Sequence, residues 1–167
     1  DCVIKQALAI VRFIPPRVCT RRQFLNLEKA AVLASIYIYF LHEQYHHKVE
    51  SLGLRLHVVD RKSSYLPYEH LVYRPAKGTD DQLEEALANA DAFHRLSTQP
   101  YAAWITPSVV AATKKYLKRR FPHDPPGYRT ATSYLTGAAF EAGENLLQAR
   151  IHEATLKPSQ TVSDWDI

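Results

Sequence analysis

From position 22 to position 57 the chain contains no proline and a single glycine, Gly53. A stretch that long without a breaker points to one long helix. Its middle, AAVLASIYIYFL (30–41), is apolar almost all round, so the helix is expected to be central and buried. Asn26 is a candidate N-cap, with Glu28 and Lys29 in the first turn. The segment SIYIY (35–39) leaves open a short strand ahead of a shorter helix. The apolar run is too short for a membrane span, which needs roughly 20 residues, and no membrane partner is expected.

The rest of the chain arranges itself around that helix. VIKQALAIVRFI (3–14) is apolar and reads as a buried helix or a strand, broken by Pro15-Pro16. Positions 58–81 are punctuated by Pro, Tyr and Gly, which predicts a loop with a possible hairpin around EHLVYRP. TDDQLEEALANADAFHRL (79–96) predicts a helix with Thr79 and Gln82 as a capping box and acidic residues at its positive end. TPSVVAATKKYLKRRF (106–121) predicts another, with Pro107 in the first turn and basic residues in the last. A final helix should run to about Leu156, with a break near Gly143. KPSQTVSDWDI (157–167) reads as a frayed, flexible tail. With 167 residues the chain is expected to be one domain, 1–156, of mainly helical α+β class. An Asp at position 1 and the lack of any Met lead us to expect a piece of a longer protein.

The functional signal lies at the end of the apolar run. FLHEQYHHKVE (40–50) holds His42-Glu43-Gln44-Tyr45-His46, the pattern H-E-x-x-H. Residues at i and i+4 share one helix face. Two imidazoles so placed reach one Zn²⁺, with the intervening Glu near enough to take a proton from water at the metal. Two imidazoles and a carboxylate left unpaired on a buried helix would be costly. A catalytic zinc needs a third protein ligand and an open position. EEALANAD supplies Glu85, with Asn89 one turn further on to hydrogen-bond the outer nitrogen of a ligand His. Glu84 competes with Glu85, which is preferred because only it pairs with Asn89 at i+4. Two cysteines, Cys2 and Cys19, match no CxxC pattern and read as reduced thiols, in keeping with a cytoplasmic protein, with one disulfide near the N-terminus as the alternative.

His42 and His46 followed by E-x-x-A-N (Glu85 to Asn89) resembles the gluzincin-type zincin metallopeptidases, and most of all the small ImmA/IrrE-type group. The likeness covers about positions 40–93. It implies a zincin-like single domain with a long central HExxH helix and a small or vestigial sheet. It implies zinc bound by His42, His46 and Glu85, with Glu43 as general base, and a protein or peptide substrate cleaved at a peptide bond.

Other patterns compete less well. HEQYHH also reads as H-x-x-x-H-H, the histidine box of membrane desaturases, which need several boxes and several spans. Glu43-x-x-His46 is half of a di-iron bundle motif, without the two further Glu that motif requires. Glu50, one turn past His46, is read as an orienter of that ligand or as a partner of Lys48 or Arg55. His47 points about 100° away, toward the surface. Stabilising a developing oxyanion calls for Tyr, His or Arg near the metal. Tyr101, His123, Tyr128 and Arg129 are the candidates, and Tyr128, in the rigid PPGYR turn, is preferred. KKYLKRRF (114–121) gives weak support to a nucleic-acid partner. A net charge of +4 is too small to imply one by itself. The alternative to an enzyme is a non-catalytic metal-binding or regulatory module whose basic helix holds a partner.

Overall fold

The computed structural model describes residues 2–14, 20–61 and 65–156. The chain forms α1 (Cys2–Val11), α2 (Arg21–Asp60), α3 (Tyr65–Tyr68), α4 (Arg74–Ala76), α5 (Leu83–Arg95), α6 (Pro107–Arg120) and α7 (Gly137–Leu156). Among the described residues no strand forms, so the protein is mainly helical and the expected small sheet is not found there. Pro15, Pro16, Cys19 and the 157–167 tail lie outside the described residues. Cys2 is an exposed free thiol.

α2 is the 40-residue spine. It begins before Asn26, because Thr20 and Gln23 form the capping box. The Gln23 amide donates to Thr20 Oγ1 at 3.3 Å, and the Thr20 amide donates to Gln23 Oε1 at 2.8 Å. SIYIY stays helical: Ala31, Ala34, Ser35 and Ile38 repeat at helical spacing and are all buried, which rewards the 3.6-residue period over the period of two. Gly53 does not break the helix. A Cβ there would meet Tyr65 Cβ at 2.5 Å, so the glycine lets α3 press directly on α2.

The segment expected as a hairpin is instead helical. A π-helix (Glu69–Tyr73) joins α3 to α4. Buried Tyr68 anchors it against α5 and α7, with the rings of Tyr65 and Tyr73 at 6.2 and 6.5 Å. The Thr79–Gln82 capping box does not form, and α5 starts only at Leu83. Thr79 Oγ1 donates to Ala76 O (2.7 Å), and Gln82 Oε1 accepts from the Gly78 amide (3.1 Å). α7 runs through Gly143 unbroken. A Cβ at that position would lie 2.7 Å from Leu87 Cδ2, so the glycine sets how closely α7 approaches α5.

Two apolar cores share the two central helices. One gathers Ala7 and Ile10 of α1, Ala31 and Ala34 of α2, Phe93 of α5 and Val109 and Leu117 of α6. The other gathers Tyr45 and Val49 of α2, Tyr68 of α3, Leu83 and Leu87 of α5, and Leu147 and Ile151 of α7. Residues 30–38 of α2 thus meet the end of α5, and residues 45–49 meet its start, so the two run antiparallel. Among the described residues, Arg21–Val59 is long and apolar enough to cross a membrane. That exceeds the 30–41 run read from sequence, because scattered polar residues do not prevent a longer window from being apolar on average. One face of the same helix is nevertheless packed into both cores.

Candidate metal centre

The site sits where α2 crosses α5, between the two cores. α5 is buried along nearly its whole length, and four small alanines (Ala86, Ala88, Ala90, Ala92) spread around it let its neighbours pack closely. Burial there forces its carboxylates to find partners. On the facing side of α2, His42 and His46 stand one turn apart, flanked by buried Leu41 and Tyr45.

Three potential ligand atoms converge. His42 Nε2 and His46 Nε2 are 3.3 Å apart, and Glu85 Oε2 lies 3.1 and 3.5 Å from them. A tetrahedral zinc with bonds of about 2.0–2.1 Å has ligand-to-ligand edges of about 3.3–3.4 Å. The observed triangle therefore has the size of one face of that tetrahedron. Glu85 Oε2 is also buried with no hydrogen bond of its own. A carboxylate oxygen and two imidazole nitrogens of this kind form a donor set suited to Zn²⁺. The group His42, His46 and Glu85 fits a metal ion.

The outer nitrogens are held as metal-binding histidines require. His42 Nδ1 donates to Asn89 Oδ1 at 3.0 Å, as the sequence led us to expect. His46 Nδ1 donates to Glu84 Oε1 at 2.7 Å. With both Nδ1 atoms paired to acceptors, it is the two Nε2 atoms that face inward. Glu84 is thus no rival of Glu85 but the support of the second imidazole. It is 1% exposed, and its other oxygen accepts from Tyr68 OH at 2.9 Å. Glu50 does not orient His46. It lies on the exposed side of α2 and pairs with His47 Nδ1 at 3.2 Å, since the i+4 step from His46 carries it past the crossing. Adjacent residues on a helix point about 100° apart. Glu84 and Glu85 can therefore serve different atoms of one site, a division of labour that sequence spacing does not reveal.

Two tyrosines complete the surroundings. Tyr73 OH donates to Glu85 Oε1 at 2.6 Å. The Tyr128 ring stacks on His42 with centroids 5.9 Å apart and planes 15° from parallel. Asn89 Nδ2 reaches the Tyr128 carbonyl at 3.4 Å. Burial and the nearby Glu85 and Glu43 charges push the Tyr128 hydroxyl up to about 12, so it stays protonated and able to donate at neutral pH. Burial opposes charge on His46, but the Glu84 carboxylate bonded to its Nδ1 and the nearby Glu85 carboxylate outweigh this and raise it to about 10 in the metal-free protein. Burial likewise pushes the Glu85 carboxyl up, but His42, His46 and the Tyr73 hydroxyl prevail and hold it well below the usual carboxylate range.

Glu43 is exposed on the rim, beside His42 and Tyr128. Of the other oxyanion candidates, Arg129 is engaged by Asp80 and Tyr101 OH by Arg95, each away from the triad. His123 lies exposed at the end of the 121–123 turn. The basic end of α6 is partly committed within the fold. Lys114 donates to Ser97 and lies over the Phe93 ring, and Arg120 pairs with Asp124.

The chain matches no protein-family model, no curated protein and no solved structure.

Proposed function

We propose that the chain is a zinc-dependent hydrolase, with a peptide bond as its substrate. The observation that carries this reading is the convergence of His42 Nε2, His46 Nε2 and Glu85 Oε2 within 3.1–3.5 Å, each imidazole fixed by an acceptor behind it. Three protein ligands leave a fourth position open, the pattern of catalytic rather than structural zinc. Zinc held there supplies Lewis acidity toward water and toward a carbonyl oxygen.

The chain's own residues do the rest. Glu43 is the one acidic side chain on the same turn of α2 as the ligands and does not join them. Its carboxylate takes the proton of the attacking water and returns it to the leaving amine nitrogen. The Tyr128 hydroxyl, protonated at neutral pH and stacked beside His42, donates to the oxygen that gains charge as the carbonyl becomes tetrahedral. Asn89 and Glu84 keep the imidazoles aimed.

The test combines metal analysis with Glu43→Gln. Native mass spectrometry should give one zinc per chain in both proteins, and peptide hydrolysis should fall by about 10²–10⁴-fold in the variant. A protein without stoichiometric zinc, or a variant as active as the parent, refutes the reading.

A further inference from the structure

Glu43 and His42 form one edge of a cavity of about 320 Å³ that runs between α1, α2 and α6 and is bounded by the 121–123 turn and Tyr128. That is the lower end of the size range of ligand pockets. Its deep wall is apolar: Ile38, Leu117 and Phe121 are 6%, 2% and 2% exposed. The rings of Tyr39 and Tyr128 stand beside them. One polar group interrupts this wall. Gln6, projecting from α1, is only 7% exposed, and its Oε1 has no hydrogen-bond partner. Buried acceptors are rarely left in that state, and an amide turns readily about its last torsion.

The charges around the cavity narrow what it accepts. Glu43 and Asp124 bring negative charge, and Arg120 is already bound to Asp124 (2.8 Å) and Tyr116 OH (3.0 Å). A carboxylate side chain therefore meets like charge, while a lysine would pair with Glu43 or Asp124 and leave the apolar wall and Gln6 Oε1 uncovered. A ring with a donor at its tip satisfies both features: its body covers the apolar wall, and its O–H or N–H reaches Gln6.

We propose that this cavity is the subsite for the substrate residue next to the scissile bond, and that Gln6 selects an aromatic side chain ending in a hydrogen-bond donor, tyrosine or tryptophan, over phenylalanine. This rests on the hydrolase reading, which makes Glu43 and His42 the reacting edge of the cavity. Phenylalanine covers the same apolar wall but leaves Gln6 Oε1 buried and unpaired, which weakens binding by about ten- to a hundredfold.

N-acetyl-L-tyrosinamide and N-acetyl-L-phenylalaninamide, titrated into the full chain by NMR, test this. Tyrosinamide should bind at least about tenfold more tightly, with shifts centred on α1 and the 121–123 turn. Gln6→Met, close in shape and lacking the acceptor, should reduce the preference to within about threefold while its thermal melt confirms folding. Equal binding of the two amides to the parent overturns the proposal and needs no variant, as does an undiminished preference in Gln6→Met. The two readings fail separately. Peptide hydrolysis without discrimination removes the subsite and leaves the hydrolase. Discrimination without hydrolysis supports the subsite and removes the hydrolase.

Discussion

Zinc binding should expel a proton from His46. In the metal-free protein the imidazole lies between Glu84 (2.7 Å) and Glu85 (3.5 Å), and its proton affinity rises from the ordinary 6.5 to about 10. At pH 8 the group is almost entirely protonated, two units below its midpoint. A ligand nitrogen must give up that proton to the metal. Zinc affinity at pH 8 should then be about a hundredfold below its high-pH limit and rise about tenfold per pH unit on the way up. Calorimetry at pH 8 in two buffers of different ionisation enthalpy should return close to one proton per zinc from this residue. Glu85 adds none, because its carboxyl already sits below the usual range. The stability of the metal-free protein carries the opposite sign. A raised imidazole stabilises the fold fully below about 6.5 and progressively less as pH climbs to about 10. Melting temperature without metal should decline across that window while zinc affinity grows. Zinc binding with no proton released, and an affinity flat between pH 7 and 9, would refute the placement of His46 between the two carboxylates.

Two further expectations concern single side chains. Glu84→Ala removes the acceptor behind His46 Nδ1 and leaves Tyr68 OH unpaired. Zinc affinity measured against a chelator should drop about 10–100-fold, and parent-like affinity would show that Glu84 does not hold the ligand. Gly53→Ala adds a methyl 2.5 Å from Tyr65 Cβ. An overpacking cost of about 1–3 kcal/mol should outweigh the gain in helix propensity of up to about 1 kcal/mol, so urea denaturation should show a net loss of up to about 2 kcal/mol. A stabilised variant would contradict the α2–α3 contact.

Legibility from sequence followed the range of the interaction. His42, His46 and Asn89 were readable because each depends on a turn-to-turn repeat along one helix. Glu85 was preferred over Glu84 for the same reason, and the structure brings Glu85 to both imidazoles. The role of Glu84 was not readable. It depends on the direction from which α5 crosses α2, a tertiary fact that no spacing encodes. Glu50 failed through the converse error, since helical spacing made it a neighbour of His46 while the crossing left it on the solvent side. Local signals also misled where packing overrode them. Thr79 and Gln82 have the capping-box spacing but bond to the preceding turn. EHLVYRP has strand-like residues, yet burial of Tyr68 draws the segment into helix.

The three candidate donor atoms ride on only two rods, α2 and α5, and a different core packs these rods on either side of their crossing. The triad is therefore held between two packed regions, like a rivet through crossed beams. A metal ion bound there would meet donors already in position and have little rearrangement to drive. On the hydrolase reading, whatever yielding a bulky substrate demands would come from the pieces around the crossing, α1 and the turn that carries Tyr128.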